Sequence, residues 1–477
     1  CDWSSDVCSS DLLPTFDLSR QSKQGQVCGN SLQGQVGRPP LTCSTSRLNW
    51  SPTSVLFTCN MRVHISSPRP KKLLATRVPW ARVVRHSFRI SRSTATKLAA
   101  SRFADERGWC PRVSIDPDKL KLFSFLLFSK LEGAVTSGMV HLGDRLGLYR
   151  ALASANQPLT TAQLATTTGL HERWVREWAY NQASAKLISF TSQRSNPPQL
   201  DDDGFFLTPE QRAVLADESH PAFGMGMFHR LPQTMESLKR LPETFRTGLG
   251  HDYDSHGPEG AVGIERSFEP WNLANLIPVV LPAIPGLPER LTSGAAVADV
   301  GCGAGGAVLR MAREYPKSRF VGYDISKYAL ARANERLVDS SLTNARFVDP
   351  RSEPLPSDQS LHFVCTFDCI HDMTHPAAVM HSIRGALRND GVWLLVDIKA
   401  HEGFAMNAEK NPMASLMYGV SVMSCLSSAM STPDGAGLGT LGLSASTAET
   451  MAKAAGFTSF ERLAVEHSVN AFYAIRP

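Results

Sequence analysis

Ala295-Ala-Val-Ala-Asp299-Val-Gly301-Cys-Gly303-Ala-Gly305-Gly306 decides the fold. A short apolar run enters a glycine-rich turn, and a helical pattern then runs from Ala307 to Tyr315. This order predicts the first strand–loop–helix unit of a doubly wound α/β sheet. The glycines permit left-handed backbone angles and close approach of a ligand. The helix start offers free N–H groups to an anion. Gly301, Gly303 and Gly306 also satisfy G-x-G-x-x-G, so the loop alone does not choose its ligand.

The flanking acids narrow the choice. Asp299 stands two residues before the first glycine, where a dinucleotide fingerprint has an apolar strand residue. An acid there suits a positive amino group, and the helix N-terminus beside it favours a carboxylate. An amino-acid zwitterion supplies both, as the methionine part of S-adenosylmethionine (SAM) does. A second strand, Arg319–Tyr323, ends at Asp324, 23 residues after Gly301, followed by Ile325. An acid at that point accepts hydrogen bonds from ribose hydroxyls, which fits SAM and NAD equally. Phe347-Val-Asp349 reads as a third strand that carries Asp349 toward an adenine amino group. A fourth, Leu361–Phe367, leads into Asp368-Cys-Ile-His371-Asp372-Met373. Asn389-Asp-Gly391 reads as a turn before a fifth strand, Val392–Val396. A helix from Ser446 to Ala455 and a closing strand pair, Phe460–Val465 and Phe472–Ile475, complete the pattern. The expected cofactor-binding set is Asp299, Gly301, Cys302, Gly303, Gly305, Asp324, Ile325, Asp349, Phe367 and Asp368.

Upstream, Leu120, Phe123, Leu127 and Leu131 recur at helical spacing, and Val135, Met139, Leu142 and Leu146 continue it. Pro158 to Leu170 and a helix around Val175 and Trp178 read as helix, Gly-containing turn, helix. Leu187–Phe190 and Phe205–Thr208 read as a hairpin whose enlarged tip holds Pro197, Pro198 and Asp201–Asp203. The result is a winged-helix domain over 116–215, joined by a Pro-rich, partly helical connector, 216–290, to an α/β domain, 291–477. The recognition helix carries Arg173 and Arg176 but also Glu172 and Glu177, and the wing tip is acidic. That charge argues against a DNA-bound winged helix and for a dimerisation and substrate-covering module.

Charge and cysteine divide the chain at the same boundary. Of 49 Lys+Arg and 44 Asp+Glu, residues 1–115 hold 17 and 6, a net of +11. The remaining 32 basic and 38 acidic residues give 116–477 a net of −6. A mildly acidic globular part does not suit a binder driven by phosphate contacts. Six of ten cysteines lie before residue 115; Cys302, Cys365, Cys369 and Cys425 are scattered, as in a reduced protein, and no Cys/His spacing suggests zinc. The longest uncharged run, Asn411–Pro433, is broken by Pro412, Gly419 and serines, so it reads as a buried helix or pocket wall rather than a membrane span. Residues 1–12 resemble the conceptual translation of a sequencing adapter. Residues 13–60 show no hydrophobic period. Met61–Ala104 carries eight Arg, three Lys and no acid, the composition of a mitochondrial presequence. The expected location is the cytoplasm, or the mitochondrion if Met61 opens a presequence.

Taken together, D-V-G-C-G-A-G, the acid after strand two and the terminal strand pair resemble the class I SAM-dependent methyltransferases. LEGAVTSGMVHLGDRLGLYRAL, the REW at Arg176–Trp178, FDCIHDMTHP at 367–376 and NPMASLMYGVSVMSCL from Asn411 extend the resemblance. They are similar to the winged-helix methyltransferases of bacteria and some eukaryotes, related in architecture to plant small-molecule O-methyltransferases. The resemblance implies a seven-stranded Rossmann-like sheet, SAM as cofactor, a small-molecule acceptor methylated on oxygen, and a homodimer. In the plant-type enzymes a His-Asp-Trp motif supplies the general base. His371-Asp372-Met373 resembles it with Met in place of Trp, so His371 is read either as the base or as a side chain that packs the helix start. A SAM-responsive DNA-binding regulator and an NAD(P)-dependent oxidoreductase are the alternative functions.

Overall fold

The computed structural model describes residues 114–192 and 203–477, which belong to one packed unit. The artefact and presequence expectations, and the wing tip at 193–202, lie outside the described residues.

Asp116 opens the first helix, Pro117–Arg145: its carboxylate accepts from the N–H groups of Asp118 and Lys119. The apolar repeat along it is helical as expected, but it faces solvent. Leu120 is 52% exposed and Phe123 66%, and Leu127, Leu131, Val135, Leu142 and Leu146 are exposed with them. The repeat therefore marks a surface that one chain leaves uncovered. The C-terminal part of the helix does pack, through Val140 and Gly143. A Cβ at Gly143 would lie 2.6 Å from the Trp178 ring and 2.7 Å from Tyr149.

Helices Leu148–Ser154, Thr161–Thr168 and Glu172–Ser184 follow, then the hairpin β1 (Ser189–Ser192) and β2 (Asp203–Phe206). Thr160 and Gln163 cap the second of these helices reciprocally, and Gly169, at φ +69°, ends it. Tyr149, Leu164, Val175, Trp178 and Phe205 form the core of this part. Tyr149 meets Trp178 edge-on at 5.2 Å and donates to Gln182 Oε1 at 2.5 Å. The stretch after it is largely short helices, until Gly257–Asn275 forms a long helix with Trp271 packed on Phe472 at 5.6 Å.

The sheet consists of β3 (Ala296–Val300), β4 (Arg319–Tyr323), β5 (Ala345–Val348), β6 (Leu361–Phe367), β7 (Leu387–Ile398), β8 (Ser459–Arg462) and β9 (Asn470–Arg476). Its order is β5-β4-β3-β6-β7-β9-β8, with β3 to β7 parallel and β9 antiparallel to both neighbours. Seven strands with this order match the expected fold class. Buried side chains alternate between two cores. Val297, Phe363, Leu394 and Phe472 face one, and Ala298, Val364, Trp393 and Tyr473 the other. Both faces are thus covered, which is why the central strands read as continuous apolar runs. The Asn389-Asp-Gly391 segment differs from expectation. It lies within β7, where pairing jumps from Leu361↔Leu387 to Phe363↔Val392. A bulge absorbs the turn residues without ending the strand. Strand order reverses between β3 and β6, so their carboxyl ends open the crevice where such sheets bind ligands.

Candidate cofactor and acceptor site

The glycine loop closes over the end of β4: Gly301 and Cys302 both donate to the Tyr323 carbonyl, at 2.8 and 3.0 Å. Gly301, Gly303 and Gly305 all have positive φ, at +77°, +54° and +76°. A Cβ at Gly301 would meet Cys369 at 2.7 Å, and one at Gly305 the Phe347 ring at 2.3 Å. A Cβ at Gly303 would meet nothing within 4 Å, so this residue borders open space. Gly303 N–H donates to Asp324 Oδ2 and Ser326 N–H to Asp324 Oδ1, each at 2.8 Å. The acid after β4 therefore shapes the loop as well as facing it. Burial raises the Asp324 carboxyl pKa, against the two backbone donors.

Asp299 lies beneath the loop, 2% exposed, with Oδ1 unpaired. Burial pushes its carboxyl up to about 7. An orphaned buried acceptor at the end of β3 fits a ligand that brings its own donor. Cys302 contributes backbone only, its side chain being buried. Ile325 is exposed beside Asp324 and offers an apolar surface. Asp349 has a partner of its own. Both its oxygens are engaged by Arg351, at 2.9 Å and 2.6 Å, and Arg351 also donates to the Ile325 carbonyl at 2.7 Å. Arg351, which the sequence reading missed, thus ties Asp349 to the chain after β4.

Phe367 ends β6 and packs partly against the core. Asp368 takes φ +48°, a left-handed conformation uncommon for a residue with a side chain. It is held by an N–H bond to the Val396 carbonyl, at 2.9 Å, and by the Asn470 amide, which donates to its carboxylate. That bend turns the chain into Ile370–Asp372 and places His371 over the end of β7. His371 is 3% exposed, and its Nδ1 lies 2.6 Å from Asp397 Oδ1. Burial opposes charge on the imidazole, but the Asp397 carboxylate outweighs it and holds the His371 pKa well above the usual value. Cys425 beside the ring acts in the same sense as Asp397. Ring nitrogen, Asp372 oxygen and Cys425 sulfur lie within 4.8 Å of one another, although sequence spacing gave no sign of it. Burial pushes Asp372 up to about 7, against the opposing charge of His371.

Residues 291–454 match the family profile described as a methyltransferase domain, and residues 134–212 the one described as an Rv2258c-like winged HTH domain. No curated protein matches the chain. Solved structures share the fold. Human N-acetylserotonin methyltransferase in complex with SAM is 15% identical, with 76% of this chain and 99% of that chain covered and a TM-score of 0.53. For the mitomycin 7-O-methyltransferase the figures are 17%, 76%, 99% and 0.54. For a putative O-methyltransferase from Nostoc punctiforme they are 15%, 76%, 100% and 0.57. Residues 291–454 are thus a methyltransferase domain of class I architecture, preceded by a winged-helix region.

Proposed function

We propose that the protein transfers the methyl group of SAM to an oxygen of a small-molecule acceptor, with His371 as the proton acceptor. The buried Asp397–His371 pair at the carboxyl ends of β6 and β7 carries the reading. When bound, SAM supplies a methyl already activated by positive sulfur. The chain then has to hold, orient and exclude water. Asp324 has lone pairs left for ribose hydroxyls, the unpaired Asp299 oxygen faces the amino end, and Gly301, Gly303 and Gly305 leave backbone room. Asp397 accepts the His371 Nδ1 proton, which fixes the tautomer, and above its raised pKa the neutral ring takes a proton from an acceptor hydroxyl on the other nitrogen.

A cytoplasmic homodimer completes the reading. Eleven large apolar side chains between Leu120 and Leu146 are exposed in the single chain, more than a monomer ordinarily leaves in water. A second copy covers them, and light scattering should give the mass of two chains. A DNA-binding role is disfavoured by the recognition helix: Arg173 pairs with Glu177 at 2.7 Å and Arg176 with Glu172 at 2.8 Å. Among the described residues no helix is long and apolar enough to cross a membrane. Calorimetric titration with S-adenosylhomocysteine (SAH), with NADH as control, tests the cofactor. Binding of NADH in place of SAH would overturn the proposal.

A further inference from the structure

Arg230 is the only buried arginine among the described residues, 3% exposed, and no carboxylate lies within ion-pair distance of it there. The other well-shielded arginines pair with acids: Arg266 with Asp144 at 2.6 Å and Arg336 with Glu269 at 3.0 Å. Arg230 instead donates to two hydroxyls, Ser424 Oγ at 3.0 Å and Thr234 Oγ1 at 3.5 Å. Ser424 Oγ is bonded in turn to His256 Nε2 at 3.0 Å, and burial with the Arg230 charge keeps that histidine neutral. The arginine stem is fixed by packing, since a Cβ on Gly263 would lie 2.8 Å from Arg230 Cβ.

A buried guanidinium satisfied only by neutral oxygens is unfavourable unless an anion completes it. Its surroundings say where that anion belongs. Ser424 is followed by Cys425, whose sulfur lies within 4.8 Å of a His371 ring nitrogen and an Asp372 oxygen. Through Ser424, Arg230 therefore stands beside the His371–Asp372–Cys425 cluster, on the side of the 411–433 segment. Two of its five N–H donors go to hydroxyls, which leaves the Nη1 side for a two-pronged bond, the geometry a carboxylate fits.

We propose that Arg230 binds a carboxylate of the methyl acceptor, so that the acceptor is a hydroxylated organic acid held by its acid group at Arg230 and by its hydroxyl at His371. The inference rests on the methyltransferase reading of this site. The same chemistry is offered by the carboxylate of the cofactor's methionine end, and the experiment separates the two.

The full chain is titrated first with SAH, then, SAH-loaded, with 2-, 3- and 4-hydroxybenzoate and 4-hydroxycinnamate, each against its primary amide. At least one acid should bind about tenfold or more tightly than its amide. Arg230→Met should abolish that preference, and Arg230→Lys should keep part of it, with SAH affinity unchanged in both. Equal or absent binding of acid and amide in the wild type overturns the proposal, even if neither variant folds. Survival of the preference in Arg230→Met overturns it too. Loss of SAH affinity in Arg230→Met reassigns the arginine to the cofactor and also overturns it. Failure of the wild type to bind SAH sinks the underlying reading, and a normal SAH titration without acid preference sinks only the role of Arg230.

Discussion

Replacing Asp324 tests the cofactor site most directly. Its two oxygens accept from Gly303 and Ser326 N–H groups, each at 2.8 Å. A carboxylate has about four lone-pair positions, so about two remain for ribose hydroxyls. Hydrogen bonds to a charged group contribute about 1.5–3 kcal/mol each. Asp324→Ala should therefore lose about 3–6 kcal/mol of binding, or about 10²- to 10⁴-fold in affinity. The variant also leaves two backbone donors without their acceptor, at about 1–3 kcal/mol each where water cannot replace it. Its melting temperature should fall, and circular dichroism must first show that it is folded. Asp324→Asn keeps the shape and one oxygen, so its affinity should fall between the two. The assay is calorimetric titration with SAH. A folded Asp324→Ala protein that binds SAH within about threefold of wild type has lost less than one charged hydrogen bond, and the placement of the ribose would be refuted.

Asp299 sits buried with its pKa raised from 3.8 to about 7. Between those values the native state binds the extra proton, so stability is present in acid and lost as pH rises through 7. The loss amounts to about 4 kcal/mol at most. Asp299→Asn should accordingly raise the apo melting temperature at pH 8, flatten its pH dependence, and weaken SAH binding. For Asp397→Asn, a rate that needs neutral His371 should drop about 10²- to 10⁴-fold with a hydroxyl acceptor. Its acid limb, which lies above the ordinary histidine value in the wild type, should move to lower pH once the carboxylate is gone and burial acts alone. An unmoved limb would remove His371 from the proton transfer. The Asp397–His371 pair also stabilises the fold fully below about pH 6.5, less as pH rises through the raised folded value, and urea melts of the two proteins should converge there. Gly305→Ala combines φ +76° with a ring carbon at 2.3 Å, and chemical denaturation should show a loss of about 3 kcal/mol or more. Gly303→Ala meets no atom and should cost about 1–2 kcal/mol in stability, yet weaken SAH binding by filling the open space.

The glycine loop and its acids were legible because their requirements are local. Positive φ, a strand of small apolar residues and an acid at a strand end leave direct marks in the chain. Asp397 was not legible, because its role depends on a neighbour 26 residues away. One signal was available: Val396-Asp397 repeats the pattern of Phe367-Asp368, an acid at the carboxyl end of an adjacent strand. Arg230 sits among short helices whose pattern says nothing of burial, and Cys425 reaches His371 only through the tertiary fold. Asn389-Asp-Gly391 misled because sheet pairing on both sides overrode its turn preference. The apolar repeat from Leu120 correctly predicted a helix, but a period identifies a face and not what covers it.

The helix Gly257–Asn275 holds residues that face in two directions. Arg266 binds Asp144 and Glu218, and Glu259 meets Arg145 and His229. On its other side Glu265 binds Arg332, and Glu269 binds Arg336 and Arg310. Neither matched domain includes this helix, so a chimera cut at the edges of the two matches would treat it as a spacer. Such a graft would strand six or more charged groups at the seam. Recombination that exchanges acceptor preference between relatives should instead carry residues 216–290 with whichever half is moved, together with the arginines or acids that face them.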